Sequence, residues 1–328
     1  MPVQQFFIRS EIDRIFSGVL GAAMRILVMG GTRFIGVYLT RLLLAAGHEV
    51  TLLNRGNRPS PEGVEVVKCD RKSPDALKSA LAGKTFDAIY DNNGRELSDT
   101  QPLVDLFDGT VKQFIYVSSA GVYLKSEQMP HIEGDPVDPN SRHKGKHHTE
   151  DYLVQQGIPF TSIRPVYIYG PQNYNPVEKW FFDRLTHNRP LPIPGNGKAI
   201  TQLGHCEDLA RAMVAVLGNS KAIGQIYNIS GERYVTFDGL ALACAEAMGK
   251  PTPDIHHYDP SQFDFGKRKA FPMRVQHFFT SIDQAKQDLE WTPRYSLVEG
   301  LKDSYNNDYC QTEQTVDFDL DEQILAAP

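Results

Sequence analysis

Residues 24–36, MRILVMGGTRFIG, decide the fold. Ile26, Leu27, Val28 and Met29 form a short apolar run that stops at two glycines, and from Phe34 onward Ile35, Leu39, Leu42 and Leu43 share one helical face. The stretch therefore reads as a buried parallel strand, a tight turn and the start of a helix. Free N–H groups and the helix dipole favour a phosphate at such a turn, and glycines let a diphosphate approach the backbone. Gly30 and Gly36 supply the outer glycines of a GxxGxxG pattern, and Arg33 holds the middle position. Its Cβ hinders close approach, while its guanidinium can grip a phosphate with two bonds. Gly30, Thr32, Arg33, Phe34, Ile35 and Gly36 are the candidate phosphate-side residues of a dinucleotide site.

Working outward, residues 49–53 (EVTLL) give a second strand that ends at Asn54, with Arg55 and Arg58 just beyond. An acidic residue at this strand end would bond the ribose 2′-hydroxyl of NAD, whereas arginines accept a 2′-phosphate. Arg55 and Arg58 tilt the expectation toward NADP, with NAD the second choice and a solvated basic loop the plain alternative. Residues 64–67, 86–90 and 114–117 read as three more strands. Asp70 follows the first of them and could face an adenine; Asn92 follows the second, where ligands of open α/β sheets bind. Strands that alternate with helices in this way imply an α/β fold with a doubly wound parallel sheet.

Composition narrows the class. The chain has 328 residues, 41% hydrophobic and 23% charged, with no repeat and no long apolar segment, so a membrane span is not expected. A net charge of −6 argues against indiscriminate nucleic-acid binding but leaves room for local basic patches. Cys69, Cys206, Cys244 and Cys310 are far apart and lack metal-ligand spacing, which points to a reducing compartment. Residues 1–23 precede the strand with broken amphipathic spacing; they read as an upstream in-frame start or a short docking helix.

These features resemble the extended short-chain dehydrogenase/reductase superfamily, which includes nucleotide-sugar epimerases and dehydratases. The resemblance implies a Ser after the fifth strand, matched by Ser119, and a Tyr and Lys four residues apart on one helix. Four-residue spacing puts the ammonium beside the phenol and lets it lower the phenol pKa. Here Lys146 fits the lysine and Glu150 a glutamate usual in the superfamily, but Arg142 takes the place of the tyrosine. Arginine stays protonated and cannot pass a proton back and forth. The usual hydride chemistry is therefore not expected, unless His143 or Tyr123 supplies the proton.

The same segment offers another use. Arg142, His143, Lys144, Lys146, His147 and His148 put six basic groups within seven residues; Lys267, Arg268, Lys269 and Arg274 form a second cluster among Phe263, Phe265, Phe271, Phe278 and Phe279. Basic groups interleaved with aromatics hold phosphates and stack on bases, although a charge run is often only a solvated face. The candidate RNA contacts are Arg142, Lys144, Lys146, His147, Lys267, Arg268 and Lys269; no metal ligand set is expected, because no carboxylate or cysteine is spaced to complete one with the histidines.

A narrower resemblance rests on GGTRFIG, YDNNGRE, SSAGVYLKS, DPNSRHKGK, SIRPVYIYGPQNYNPVEKWFF, QLGH, NISGERYVTFDGLA, FDFGKRKAFP and LVEGLKDSYN. In this order they look like the plastid stem-loop RNA-binding proteins, an atypical branch of the superfamily also present in cyanobacteria, and most like the b-type paralogue. The family implies structured-RNA binding, an endoribonuclease activity helped by a divalent metal such as Mg²⁺, association with ribosomal particles, and homo- or hetero-oligomers with a paralogue. It also implies the chloroplast stroma or a cyanobacterial cytoplasm. The residues themselves assemble no acid and base around a phosphate, beyond His143 and His147 one helical turn apart.

The rest of the chain reads as a smaller C-terminal α/β lobe woven with the last strands. The expected organisation is an N-terminal extension over 1–23, a Rossmann domain over 24–170, the smaller substrate- or RNA-side lobe over 171–310 and an acidic tail over 311–328. Ser281 to Gln284 and Ser296 to Glu299 read as capping boxes, and Trp180, Phe181 and Phe182 open a helix with a core face. The tail holds five acidic residues and no Lys or Arg, so it is expected to repel RNA and to fray or meet a partner.

Overall fold

The computed structural model describes residues 22–327, so the reading of the N-terminal extension lies outside the described residues apart from residues 22 and 23. Its strands in chain order are β1 (Arg25–Met29), β2 (Glu49–Asn54), β3 (Glu65–Lys68), β4 (Ala88–Asp91), β5 (Gln113–Val117), β6 (Phe160–Pro165), β7 (Tyr167–Tyr169), β8 (Leu191–Pro194), β9 (Ile200–His205), β10 (Gln225–Ile229), β11 (Tyr234–Thr236) and β12 (Ile255–Tyr258). The helices are α1 (Ile35–Ala45), α2 (Pro74–Leu81), α3 (Leu97–Phe107), α4 (Lys144–Gln155), α5 (Val177–Thr186), α6 (Cys206–Ala215), α7 (Phe237–Ala247), α8 (Asp283–Leu289), α9 (Leu297–Asn307) and α10 (Asp319–Leu325). The chain divides into two units. One comprises the described residues up to Pro165 with Leu209–Ile229 and Ser281–Thr292; the other comprises Val166–Asp208, Ser230–Thr280 and the residues from Pro293 onward.

The first unit is built on a seven-stranded sheet in the order β10-β6-β5-β4-β1-β2-β3. Every pairing in it is parallel, which is the doubly wound α/β sheet expected from the alternation of strands and helices. Strand order reverses between β1 and β4, and the crevice at the carboxyl ends of these strands is where such sheets bind ligands. Ile26, Leu27 and Val28 are fully buried, as a strand covered on both faces requires. Helix α1 buries Gly36, Leu39, Thr40 and Leu43, while Ile35 and Leu42, expected inside, are half-buried. The helix is rolled onto its Gly36 and Thr40 side because nothing but hydrogen separates Gly36 from the turn below it. Phe86, expected to open the strand read over 86–90, instead precedes β4 and packs edge-on against Phe107, 5.5 Å between ring centres.

In the second unit β11, β9 and β7 form a three-stranded sheet, and β12 pairs with β8. The core of this unit gathers Phe181, Phe182, Leu191, Ile193, Phe237, Leu240 and Leu301, so the aromatic face of α5 is core, as its sequence implied. Helix α9 begins in the capping box read at Ser296 and Glu299. The one read at Ser281 does not form: α8 starts at Asp283 behind Ile282, and the Ser281 hydroxyl accepts from the Asp283 N–H at 3.1 Å and donates to the Asp283 carboxylate at 2.8 Å. The acidic tail is not frayed. It forms α10, whose Leu320 and Ile324 are buried with Tyr258 and Ala270.

Candidate functional site

The turn after β1 has the geometry that a phosphate-binding turn needs. Gly30 and Gly31 take φ values of 106° and 92°, a region glycine enters at little cost. At Gly36 an added Cβ would lie 2.7 Å from the Gly31 Cα and 2.8 Å from its nitrogen, so only glycine lets the helix start this close to the turn. Phe34, the residue just before α1, has a φ of 52°. With ψ at −132° it lies outside the left-handed helical region as well, and holding an L-residue there costs roughly 1–3 kcal/mol. Burial of its ring offsets the strain by about 1.5–3 kcal/mol. Thr32 and Arg33 are half-buried between them, and no acidic side chain occupies the first turn of α1.

Several polar side chains at the carboxyl edge of this sheet hold buried atoms with no hydrogen-bond partner. Those nearest the glycine turn in strand order include the Nδ2 of Asn54 at the end of β2, both amide atoms of Asn92 after β4, and the Oγ of Ser118 after β5. Each unsatisfied group costs roughly 1–3 kcal/mol, and a bound polar ligand would relieve that cost. Together with the glycine turn they fit a dinucleotide. Arg55 and Arg58 are exposed beyond β2; Asp70 is exposed after β3, where its carboxylate accepts from the Lys72 N–H at 3.0 Å.

Arg71 is an addition that the sequence reading missed. Its two terminal nitrogens donate to the carboxylate oxygens of Asp91 at 2.6 and 2.7 Å, and it also bonds the Asn93 side chain. Burial alone would raise the Asp91 carboxyl, yet the Arg71 charge and the bonds from Arg71, Thr100 and Gly94 hold it below its ordinary value. The Asn93 amide comes within 3.5 Å of where a Gly30 Cβ would stand. The sequence carried no local signal for this pair: Arg71 follows β3, Asp91 ends β4, and β1 and β2 stand between those strands in the sheet.

The residues matching the superfamily triad come together in altered roles. Ser119 follows β5, and its Oγ accepts from the Gly121 N–H at 3.0 Å. A Cβ on Gly121 would lie 2.8 Å from the His143 Nε2 and 3.0 Å from that Oγ, so the bare glycine gives the imidazole its place beside Ser119. Arg142 is exposed, and its Nε donates to the His143 ring at 3.0 Å. The Lys146 ammonium turns inward, to the carbonyls of Val117 at 2.6 Å and Gly94 at 3.0 Å. Burial pushes it down to about 8 against the opposing pull of Asp91 and Glu150.

Tyr123, the other substitute acid, is committed elsewhere. Its hydroxyl donates to the Asn228 Oδ1 at 2.8 Å, Arg164 lies 4.9 Å over its ring, and burial pushes its phenol up to about 12. Glu150 is clamped by Arg164 at 2.6 and 3.0 Å and by the Ser162 hydroxyl at 2.7 Å. Burial would raise its carboxyl, but His147, Arg164 and Ser162 bring it down to about 2. His147 faces Glu150 at 3.6 Å and Asp151 at 3.4 Å, and the contact with Glu150 raises its imidazole.

Lys146 and His147, read as RNA contacts, thus spend their polar atoms on the protein, whereas Arg142, Lys144 and His148 are exposed. The backbone of residues 94–96 lies against the start of α4, where a Gly145 Cβ would meet the Arg95 carbonyl at 2.7 Å. Exposed Arg95 therefore borders the basic face, another residue the sequence reading missed although it stood in the quoted YDNNGRE. In the second unit Lys267, Arg268 and Lys269 are exposed on the loop before Ala270, and Arg268 pairs with Asp317 at 2.7 Å. Arg274 lies 4.4 Å over the Phe278 ring; Phe271, Phe278 and Phe279 are buried, and Phe263 stacks on Phe265 at 5.4 Å.

Among the described residues no group of three or more His, Cys, Asp or Glu side chains is placed to hold a metal ion, and no helix is long and apolar enough to cross a membrane. The model of the NAD dependent epimerase/dehydratase family matches residues 26–101 and 94–230. The chloroplast stem-loop binding protein of 41 kDa b from Arabidopsis thaliana is 53% identical, over 92% of this chain and 84% of that protein. A UDP-glucose 4-epimerase of Corynebacterium glutamicum is 24% identical over 83% of this chain and 92% of its own. Among solved structures, the UDP-glucose 4-epimerase of Thermotoga maritima with UDP-glucose superposes with a TM-score of 0.73 at 21% identity, covering 87% of this chain and 98% of that one. The UDP-glucose 4-epimerase of Thermus thermophilus in complex with NAD gives 0.69 at 21% identity, over 87% and 98%.

Proposed function

Since this chain belongs to the NAD dependent epimerase/dehydratase family, in the branch of the chloroplast stem-loop binding protein, we propose that it binds structured RNA and has given up the redox chemistry of its fold. One observation carries the reading. Where the resemblance puts a proton-shuttling phenol there is an exposed, permanently charged Arg142, and the Lys146 ammonium that would tune such a phenol is bonded to two main-chain carbonyls. Arg95, Arg142, Lys144 and His148 then form a cationic face at the start of α4, suited to the phosphates of a stem-loop. Stem-loop cleavage, if part of the activity, needs an acid and a base flanking the phosphate, and His143 beside Ser119 is the group offered for one of those roles. Ribosomal particles as the RNA's context, self- or paralogue association, and a chloroplast-stroma or cyanobacterial setting complete the reading.

The unpartnered atoms of Asn54, Asn92 and Ser118 favour a second role alongside it. Gly30, Thr32, Arg33, Phe34, Ile35 and Gly36 would hold the diphosphate of a dinucleotide, with Asn54, Asp70 and Asn92 along the rest and Arg55 and Arg58 preferring NADP. Such a cofactor supplies hydride chemistry when bound; in an epimerase or reductase acting on a nucleotide-sugar, His143 would then have to hold and return the proton. Titrating the protein with a hairpin RNA over a salt series, and separately with NADPH by fluorescence, tests both. Binding that falls steeply with salt and is lost in Arg142→Ala with Lys144→Ala supports RNA; turnover of any sugar nucleotide overturns the loss of redox chemistry.

A further inference from the structure

The second unit carries a built surface that the proposed function does not use. Helix α5 and the turn after it present Lys179, Arg184 and Arg189; the loop before Ala270 presents Arg268 and Lys269. Residues 312–325 run across them. Each of the three arginines meets a carboxylate of that segment: Arg184 with Asp321 at 2.6 Å, Arg268 with Asp317 at 2.7 Å, and Arg189 with Glu322. Between these carboxylates the Phe318 ring lies 4.5 Å from the Arg189 guanidinium, 5.5 Å from that of Arg184 and 5.4 Å from the His187 ring. Spaced anions on arginines, with a flat ring stacked between, is how a single strand of RNA is held.

The fit of this segment is incomplete. Arg184 is only 5% exposed, yet its Nε has no partner; the Nε of Arg189 and the Oδ2 of Asp321 have none either. A phosphate offers more acceptor oxygens than a carboxylate and matches the guanidinium fork. Beside the segment remains a cavity of about 420 Å³, lined by the cations Lys179, Arg184, Arg268 and Lys269 and by the carboxylates of Asp183, Asp317 and Asp321, with Lys179 paired to Asp183 at 2.7 Å. That volume is within the range of small-ligand pockets, roughly 300–1,000 Å³. The exposed carboxylates of Asp317, Asp319 and Glu322 hold on weakly, as surface ion pairs do, while Leu320 and Ile324 supply the buried anchor.

We propose that this groove is a binding site for single-stranded RNA, with phosphates on Arg189, Arg268 and the unpartnered Nε of Arg184 and a base in place of Phe318, and that residues 312–319 are its built-in occupant. The inference rests on the RNA-binding reading above but not on the face around Arg142. It adds a second, gated contact for unpaired nucleotides that flank a stem.

The full chain is titrated at fixed salt with a fluorescent octauridylate and, separately, with a blunt hairpin RNA. Asp317→Asn, Phe318→Ala and Asp319→Asn together spare the buried anchor, and a melting curve checks the fold. The expected result is octauridylate binding tightened about tenfold, as the loss of a competing charged contact implies. Adding Arg268→Ala and Lys269→Ala abolishes that gain and leaves the hairpin titration unchanged. On wild-type protein, octauridylate is expected to speed hydrogen exchange over residues 312–319. An unchanged octauridylate affinity in the strap variant, or a gain that survives loss of Arg268 and Lys269, overturns the inference while hairpin binding stands. Competition by uridine monophosphate or inorganic phosphate as effective as by octauridylate overturns it in favour of a mononucleotide pocket. Absence of hairpin binding to wild-type protein sinks the RNA reading itself.

Discussion

The ammonium of Lys146 stands 2.6 Å from the main-chain carbonyl of Val117, with a second bond of 3.0 Å to Gly94. A lysine spent on joining the ends of two strands is a structural strut. Lys146→Met would remove the ammonium from the Val117 carbonyl and leave Gly94 with only the Tyr116 hydroxyl at 3.1 Å, at a cost of about 1–3 kcal/mol. A lower melting temperature with hairpin affinity held within twofold is the expected pair of results. Unchanged stability with lost RNA binding would show that the amine leaves its carbonyls to meet phosphate.

The same lysine gives a pH signature. Its folded value of about 8 lies below the ordinary 10.5, so between those limits the unfolded chain binds more protons than the native one. Stability contributed by this group therefore rises with pH from about 8 to 10.5, the reverse of a cation that gains a partner on folding. Comparing denaturation midpoints of wild type and Lys146→Met across that window isolates the effect. A difference that stays flat with pH would mean the ammonium is well solvated.

Glu150 shows the opposite sign. Arg164, only 3% exposed, holds it in a buried pair, and its folded value of about 2 lies below the ordinary 4.5. The stability it contributes is fully present above about 4.5 and is lost as pH falls toward 2. Glu150→Gln would strand a buried guanidinium, at about 3–5 kcal/mol. Urea unfolding at neutral pH is expected to show that loss, and at pH 3 a smaller one; equal losses at both would contradict the pairing.

Local patterns were legible and lateral ones were not. The strand, turn and helix around Gly30 and Gly36 could be read because burial and glycine geometry act within a few residues. The core role of Phe181 and Phe182 followed from period alone. Arg71 on Asp91 and His143 beside Gly121 could not be read, because each joins segments that only sheet assembly brings together. Lys146 illustrates the limit: its spacing to Arg142 was visible, but not that its amine would face Val117 rather than the helix surface. The tail was misread for the same reason. Its charge was plain, whereas the arginines that receive Asp321 and Glu322 lie more than a hundred residues earlier in the chain.

Restoring the phenol should not restore the enzyme. Arg142→Tyr would put a titratable hydroxyl at the triad position, yet the side chain there is exposed and the lysine that would lower its pKa is turned to Val117. NADPH oxidation with sugar nucleotides is expected to stay at background in this variant, and hairpin affinity to fall as one cation is lost. Turnover above background would mean that Lys146 swings back to the phenol and that the loss of redox chemistry rests on Arg142 alone.

The glycine turn offers the test that separates fold from ligand. Gly36→Ala places a methyl 2.7 Å from the Gly31 Cα, a contact with backbone that no side-chain rotation relieves, so α1 must move off the turn. Overpacking of this kind costs about 1–3 kcal/mol. Thr40 follows the shift, since its hydroxyl donates to the Gly36 carbonyl at 2.7 Å. The variant is expected to melt earlier and to lose whatever affinity wild type has for NADPH, while hairpin binding through Arg142 and Lys144 persists. Loss of hairpin binding at an unchanged melting temperature would place the RNA phosphates on the glycine turn itself, and the dinucleotide crevice would then be the RNA site.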